Sequence, residues 1–273
     1  MAKGISLHIG INEVNPAHYS GWSGALAACE FDAKDLLALA KKKGFAESSM
    51  LLTKEATAAV VTEGIQNAAK KLAKGDLFLL TYSGHGGQVP DTNGDEEDDR
   101  MDETWVLYDR QLVDDELHQL YAKFKSGVRI LVLSDSCHSG TVTREAPPWE
   151  AVQPAPQPAV RLMPGSVGLA TYRGNKKLYD AIQKANPAAE STVLKATVLL
   201  ISGCQDNQVS LDGSRNGLFT ETMKKVWSNG KFKYGYKRFR DTIVAKMPPT
   251  QTPNYFVVGG KNAAFESQMP FTV

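Results

Sequence analysis

The chain has 273 residues and a formal net charge of +1, with 42% hydrophobic and 22% charged residues. These values are ordinary for a globular protein, and they give no reason to expect nucleic acid or a membrane surface as a partner. No apolar run approaches the ~20 residues that a membrane span requires. Its three cysteines form neither a disulfide framework nor a CxxC pair, so we expect a reducing, cytoplasmic setting.

Apolar, β-rich runs alternate with helical patterns along the chain, and this alternation favours an α/β fold with a mostly parallel sheet. The pattern predicts strands at residues 6–11, 50–52, 77–82, 104–108, 128–133, 196–202 and 255–258. It predicts helices at residues 25–43, 57–74, 114–125, 219–227 and 236–246.

Residues 146–164 break this pattern because six of these nineteen residues are proline. Such a stretch is typical of an exposed loop or linker rather than of a packed core. Strand and helix patterns resume after it. The sequence therefore favours one domain that carries an inserted loop over two independent domains.

His85 and Cys137 each follow closely after a predicted buried strand. In open α/β sheets, ligands and catalytic groups lie just beyond the carboxyl ends of the strands. A thiolate nucleophile needs a nearby imidazole to take its proton, and flanking glycines let a substrate approach the backbone closely. A single cysteine or histidine is more often a small core residue or a loop residue. Two glycine-flanked strand ends with complementary groups favour a reactive pair.

Two motifs, in this order along the chain, resemble those of the caspase-like cysteine peptidases, particularly the metacaspases and their bacterial relatives. They are residues 82–86 (YSGHG) and 135–140 (DSCHSG), and upstream residues 29–33 (CEFDA) resemble the motif that supplies the substrate pocket. The resemblance implies an α/β, caspase-like three-layer sandwich with a central, mostly parallel sheet of about six strands. It divides a single catalytic domain (1–273) into a large-subunit-like region (1–145), the proline-rich loop and connection (146–195) and a small-subunit-like region (196–273).

The resemblance also assigns catalytic roles to three residues of these motifs. It implies that the Cys137 thiol attacks the scissile carbonyl and that His85 protonates the leaving amine. The backbone N–H groups of Gly86 and Cys137 would hold the oxyanion. His138 is a rival base because it adjoins the nucleophile, but adjacent side chains usually point apart, so we give it a structural role. We therefore expect a cysteine endopeptidase that needs no cofactor for its chemistry.

The same resemblance places Asp32 and Asp135 in the primary specificity pocket, with Ser83 and Cys29 beside them. Buried carboxylates favour a cation, and Arg pairs with them in bidentate fashion while Lys offers a point charge. We therefore expect cleavage of polypeptides after Arg or Lys. Two alternatives concern the pocket: Asp32 could face solvent from its helix, and Asp206 could also contribute to the pocket edge.

Residues 91–103 form an acidic stretch with eight acidic residues and one Arg. Its beginning is similar to an EF-hand loop, but Glu96 replaces the Gly that the sharp turn needs, so an EF-hand is not expected. Calcium activates many metacaspases, and the residues that match such a site here are Asp95, Asp98, Asp114 and Asp115. Arg144 stands where that site would want a further carboxylate, and acidic runs are often solvated loops. Calcium as an activator and a plain surface loop both stay open.

Arg161 is the most attractive candidate for self-cleavage, because caspase-like enzymes are often cut into two subunits within this loop. A loop that is never processed is the alternative. We expect a monomer, since metacaspases are generally monomeric. Two other functions stay open: a catalytically silent caspase homologue that acts as a scaffold, and a calcium-binding regulatory module.

Overall fold

The computed structural model describes residues 2–94, 100–137, 159–186, 192–205, 208 and 210–273. The strands within these residues are β1 (Gly4–Gly10), β2 (Glu47–Leu52), β3 (Leu77–Ser83), β4 (Gly86–Pro90), β5 (Met101–Val106), β6 (Gln111–Val113), β7 (Arg129–Asp135), β8 (Thr197–Ser202) and β9 (Asn254–Gly259). The α-helices are α1 (Cys29–Lys42), α2 (Ala58–Lys71), α3 (Asp114–Ala122), α4 (Gly165–Gly174), α5 (Lys176–Ala185), α6 (Leu218–Trp227), α7 (Tyr236–Val244) and α8 (Ala263–Ser267).

Six strands form the central sheet, in the order β2-β1-β3-β7-β8-β9. All neighbouring pairs from β2 to β8 are parallel, and β9 joins the edge of the sheet in the antiparallel direction. The inner strands β1, β3 and β7 are buried along their whole length. Burial on both faces favours continuous apolar runs, such as residues 77–80 of β3 and 130–133 of β7. The prediction of a mostly parallel sheet of about six strands is confirmed.

Helices cover both faces of this sheet, because alternate residues of each strand point to opposite sides. Leu80 of β3 belongs to a core that includes Val61 of α2 and also residues of α3. The preceding residue, Leu79, belongs to a second core with Leu36 of α1 and Phe219 of α6. The result is a three-layer sandwich. Within the described ranges, no helix is both long enough and apolar enough to cross a membrane.

A second sheet follows directly after β3 and consists of β4, β5 and β6 in antiparallel pairing. The sequence predicted only β5, at residues 104–108. β4 was missed because its sequence, GGQVP, contains glycine and proline, which are depleted in strands. It becomes a strand because β5 supplies its hydrogen-bonding partner.

Helix α1 begins at Cys29, four residues later than the predicted start at residue 25. The reason is a set of distant side chains that bind the backbone N–H groups before and at the first turn. The Asp212 carboxylate accepts hydrogen bonds from the N–H groups of Ala27 and Ala28, and the Asn12 side chain accepts that of Cys29. Such capping groups satisfy donors that a longer helix would otherwise use.

Candidate active site

Two neighbouring parallel strands bring the predicted reactive residues to one edge of the sheet. β3 and β7 pair in register, so that Ser83 at the end of β3 lies opposite Asp135 at the end of β7. His85 and Cys137 each follow two residues later. The pairing register therefore places both residues beyond the carboxyl ends of the sheet, where the sequence predicts the site.

The His85 side chain is buried and oriented by a backbone carbonyl. Its Nε2 atom lies 2.9 Å from the carbonyl oxygen of Gly24, and a carbonyl can only accept, so Nε2 carries the proton. This bond leaves Nδ1 as the free base, and Nδ1 has no hydrogen-bond partner among the described residues. The ring packs against Trp22, with ring centroids 4.7 Å apart. Burial lowers the pKa of His85 to about 4, so the imidazole is neutral near pH 7.

Two backbone donors meet at one carbonyl oxygen. The N–H groups of Gly86 and Cys137 both donate to the carbonyl oxygen of Arg161, at 3.0 and 3.2 Å. A Cβ atom on residue 86 would lie 1.5 Å from the backbone oxygen of Cys137, so only glycine fits there. This pair of converging N–H groups has the arrangement of an oxyanion hole.

The guanidinium of Arg161 occupies a completely buried pocket lined by carboxylates. It forms ion pairs of 2.8 Å with Asp32, 2.9 Å with Asp135 and 2.9 Å with Asp212. The Ser83 hydroxyl accepts a further hydrogen bond from Nη1 at 2.8 Å. The alternative that Asp32 faces solvent is therefore wrong, since Asp32 is also fully buried.

Each pocket carboxylate is held in place by groups other than Arg161. Asp32 accepts hydrogen bonds from the Asn216 side chain and the Gly217 N–H group. Asp135 accepts from the hydroxyl groups of Ser210 and Thr220. Burial raises the pKa of Asp32 to about 6, although the nearby Arg161 charge acts to lower it. The positive charge of Arg161 therefore favours the ionised form of Asp32 against the effect of burial.

Residues 159–163 lie across this site in the manner of a bound peptide. On the amino side of Arg161, the backbone pairs with residues 210–212: the Arg161 N–H group donates to the Ser210 carbonyl, and the Asp212 N–H group donates to the Ala159 carbonyl. On the carboxyl side, Leu162 pairs with Gly86. The Arg161–Leu162 peptide bond consequently lies beside the two converging N–H groups.

This arrangement corrects one expectation from the sequence. The proline-rich stretch was expected to be an exposed loop or linker, but Arg161 and Met163 near its end are buried, with 0% and 3% exposure. The prolines exclude a regular strand or helix, yet they do not exclude a peptide that is held by side-chain pockets and short backbone pairings. Residues 165–185, in the expected connection, form α4 and α5.

Comparison with known proteins identifies the family of this chain. The family model described as "Caspase domain" matches residues 4–270. The chain belongs to the caspase domain family. It is 31% identical to Metacaspase-1 of Kluyveromyces lactis over 252 residues and 30% identical to Metacaspase-1 of Cryptococcus neoformans over 272 residues. These alignments cover 80% and 87% of this chain but only 56% and 58% of the two relatives, so the chain spans little more than half of their length.

A solved structure is similar over nearly the whole caspase domain. The crystal structure of a protein from Geobacter sulfurreducens has a TM-score of 0.89 and 52% identity, and the match covers 99% of both chains. The caspase-like sandwich implied by the sequence motifs is therefore confirmed.

The remaining predicted pocket residue, Cys29, is buried at the start of α1. Burial raises the pKa of its thiol to about 12, against the opposing effect of the Arg161 charge. It is therefore a neutral wall of the pocket and not a second reactive thiol.

The Sγ atom of Cys137 accepts a hydrogen bond from the Ser210 N–H group at 2.6 Å.

The predicted calcium residues are only partly within the described part of the chain. Asp95 and Asp98 lie outside it, as do Glu96, His138, Arg144 and Asp206. Asp114 and Asp115 begin α3, and burial together with the charges of Glu103, Asp102 and Asp115 raises the pKa of Asp114 well above its usual range. Among the described residues, no three acidic, cysteine or histidine side chains are grouped so as to hold a metal ion. The described residues alone do not make a calcium site.

Asp212 is a functional candidate that the sequence did not indicate. Its carboxylate binds the Arg161 guanidinium and also accepts hydrogen bonds from the N–H groups of Ala27 and Ala28, which precede α1. Gly24 and Trp22, which position His85, were likewise missed. No local motif marks these residues, because their role depends on loops that meet only in the folded caspase domain.

Proposed function

We propose that this caspase domain is a cysteine endopeptidase that hydrolyses peptide bonds after Arg or Lys. The observation that carries the proposal is Arg161, whose carbonyl oxygen accepts from two converging N–H groups while its guanidinium contacts three buried carboxylates. Both features of a substrate residue, the reacting carbonyl and the recognised side chain, are thus bound at once. We also propose a reducing, cytoplasmic setting, which is supported by three buried cysteines that are all free.

The chemistry proceeds through a thioester. The Cys137 thiol gives its proton to the Nδ1 atom of His85, and its sulfur attacks the carbonyl carbon. The resulting oxyanion accepts hydrogen bonds from the N–H groups of Gly86 and Cys137. His85 then returns the proton to the departing amine. Water hydrolyses the thioester with His85 as the base. Losing one oxyanion donor typically costs ~3–4 kcal/mol of transition-state stabilisation.

Specificity follows from the charge of the pocket. Asp32, Asp135 and Asp212 would repel an acidic side chain, and an uncharged one would leave these buried carboxylates without a counter-ion. Arg fits best because its planar fork bonds several carboxylates at once, and Lys offers one charge and three donors. We therefore expect Arg substrates to be preferred over Lys substrates.

We further propose that the Arg161–Leu162 bond is the first substrate of this domain. Residues 159–163 already occupy the site as a peptide would, so an intact chain is blocked toward other peptides. Cleavage there would separate the large-subunit-like from the small-subunit-like region. A chain that cuts neither this bond nor any added peptide would correspond to the silent homologue.

The deciding experiment is hydrolysis of fluorogenic peptides that end in Arg, Lys or Asp, in reductant, with and without millimolar calcium. We expect cleavage after Arg, weaker cleavage after Lys and none after Asp. A Cys137→Ala variant should lose all activity, and Cys204→Ala, which removes another buried cysteine, serves as the matched control. Cleavage after Asp would refute the pocket, and no cleavage under any condition would refute the peptidase.

The calcium arm tests the acidic residues separately. Calcium as an activator, through Asp95, Asp98, Asp114 and Asp115, stays a proposal, as does the monomeric state. If activity is equal with calcium and with a chelator, activation by calcium is refuted while the peptidase stands.

A further inference from the structure

The residues that follow the Arg161–Leu162 bond are anchored independently of that bond. The Met163 N–H group donates to the Gly86 carbonyl at 2.8 Å. The Met163 side chain is 3% exposed and belongs to the main hydrophobic core. Leu162 pairs with Gly86 in the parallel direction. None of these contacts involves the guanidinium or the pocket carboxylates.

Helix α4 strengthens this anchor. It begins at Gly165, two residues after Met163, and packs on β4. The packing is close: a Cβ atom on Gly168 would lie 3.3 Å from the Met163 methyl group and 3.4 Å from the Gln88 carbonyl oxygen. The chain from Leu162 onward is therefore part of the folded body, on the same β4 strand whose first N–H group binds the reacting carbonyl.

From this anchoring we propose a second activity: after cleavage, the α-amine of Leu162 stays at the leaving-group position and accepts acyl groups, so that the domain ligates peptides ending in Arg to residue 162. The inference rests on the proposed peptidase and on cleavage at Arg161. An ordinary leaving peptide diffuses away, whereas this amine is held by Met163 and α4.

The ligation step reverses the step in which the thioester forms and the amine departs, and it needs no co-reactant. The neutral Leu162 amine attacks the thioester carbonyl, the new C–N bond forms, and the bond from that carbon to the Cys137 Sγ atom breaks. The proton from the amine passes to His85 Nδ1 and then to the departing sulfur. The acyl donor is a peptide ester or amide with Arg at the reacting carbonyl.

Two physical factors favour the amine over water. A reacting group fixed in place can act with an effective molarity on the order of 10⁵ M or more when its geometry is right. A free α-amine has a pKa of roughly 7.7–8.0, so about half of it or more is neutral at pH 8. Ligation relative to hydrolysis should therefore rise between pH 6.5 and 8.5.

The test uses the self-cleaved protein, purified with both fragments. It is incubated at pH 8 in reductant with an excess of a fluorescent peptide Arg methyl ester, and intact mass spectrometry follows the fragment 162–273. We expect this fragment to gain the mass of the acyl peptide, with an Arg–Leu162 junction in its fragmentation spectrum. Hydrolysis of the ester to the free acid is measured in the same sample.

Met163→Ala loosens the anchor, and Met269→Ala is a matched change at a methionine that is 40% exposed. We expect Met163→Ala to lower the ratio of ligated to hydrolysed product at least 10-fold and Met269→Ala to leave it unchanged. If Met163→Ala does not fold, the rise of the ratio with pH in the unaltered protein provides the second readout.

The outcomes separate the two proposals. Ester hydrolysis without any ligated fragment overturns the ligation and leaves the peptidase standing. A chain that hydrolyses the ester but never cuts its own Arg161–Leu162 bond also overturns the ligation and leaves the peptidase standing. Absence of both hydrolysis and ligation overturns the peptidase and the ligation together.

Discussion

Replacing Arg161 with Ala, in a chain inactivated by Cys137→Ala, should open the groove to external peptides. Arg161 forms three fully buried ion pairs of 2.8–2.9 Å, and breaking a buried pair by removing one partner costs about 3–5 kcal/mol. At about 1.4 kcal/mol for each factor of ten, this corresponds to roughly 100- to 5,000-fold in occupancy of the pocket. We expect an Arg-containing fluorescent peptide to bind the double variant at least about 100-fold more tightly than Cys137→Ala alone, measured by fluorescence anisotropy.

The matched control is Arg173→Ala on the same Cys137→Ala background, since Arg173 is an exposed arginine of α4. It should leave peptide affinity unchanged. The double variant with Arg161→Ala should also melt at a lower temperature, because three buried carboxylates lose their counter-ion, and saturating Arg peptide should restore the melting temperature. Equal peptide affinity in folded variants with and without Arg161 would refute the idea that residues 159–163 occupy the substrate site.

Three further outcomes are expected. Gly86→Ala should abolish peptide hydrolysis, because its Cβ would lie 1.5 Å from the Cys137 oxygen. The control Gly174→Ala, with open space around residue 174, should keep its activity. An active Gly86→Ala variant would contradict the assignment of the oxyanion site. Asp212→Asn should raise KM for Arg peptides about 10- to 100-fold, since a hydrogen bond to a charged group is worth about 1.5–3 kcal/mol, and steady-state kinetics with no change in KM would remove Asp212 from the pocket. Burial lowers the pKa of His8 to about 3, so between pH 6.5 and 3 the unfolded chain binds a proton that the folded chain does not. The free energy of unfolding should therefore decrease by about 1.4 kcal/mol from this group for each unit by which the pH is lowered. Urea unfolding of inactive protein at pH 7 and 5 should give a flatter pH dependence for His8→Gln, and identical slopes would rule His8 out as the cause.

The central sheet and the reactive pair could be predicted because each depends on a local signal. β3 and β7 contain the apolar runs 77–80 and 130–133, and a reactive residue with glycines nearby follows two residues after the end of each strand. The chain between them forms a separate small sheet and α3, so β3 and β7 are free to pair directly. The parallel register then brings His85 and Cys137 to one edge.

The path of residues 159–163 could not be predicted in the same way. Arg161 is buried because Asp32, Asp135 and Asp212, from three distant parts of the chain, converge on it. No single stretch of sequence contains that information. Composition points the other way, because a proline-rich segment cannot form a regular core element and is usually solvated. Asp212 could not be predicted for the same reason, and the sequence indicates only Asp206, six residues earlier.

The complete burial of Arg161 has a kinetic consequence. Another molecule, whether a second copy of this chain or an unrelated protease, cannot reach a side chain with 0% exposure that its own molecule encloses. Cutting at this bond is then a unimolecular event, with a first-order rate constant that stays the same on dilution. The fraction of divided chains would depend on the time since folding and not on the concentration of the protein.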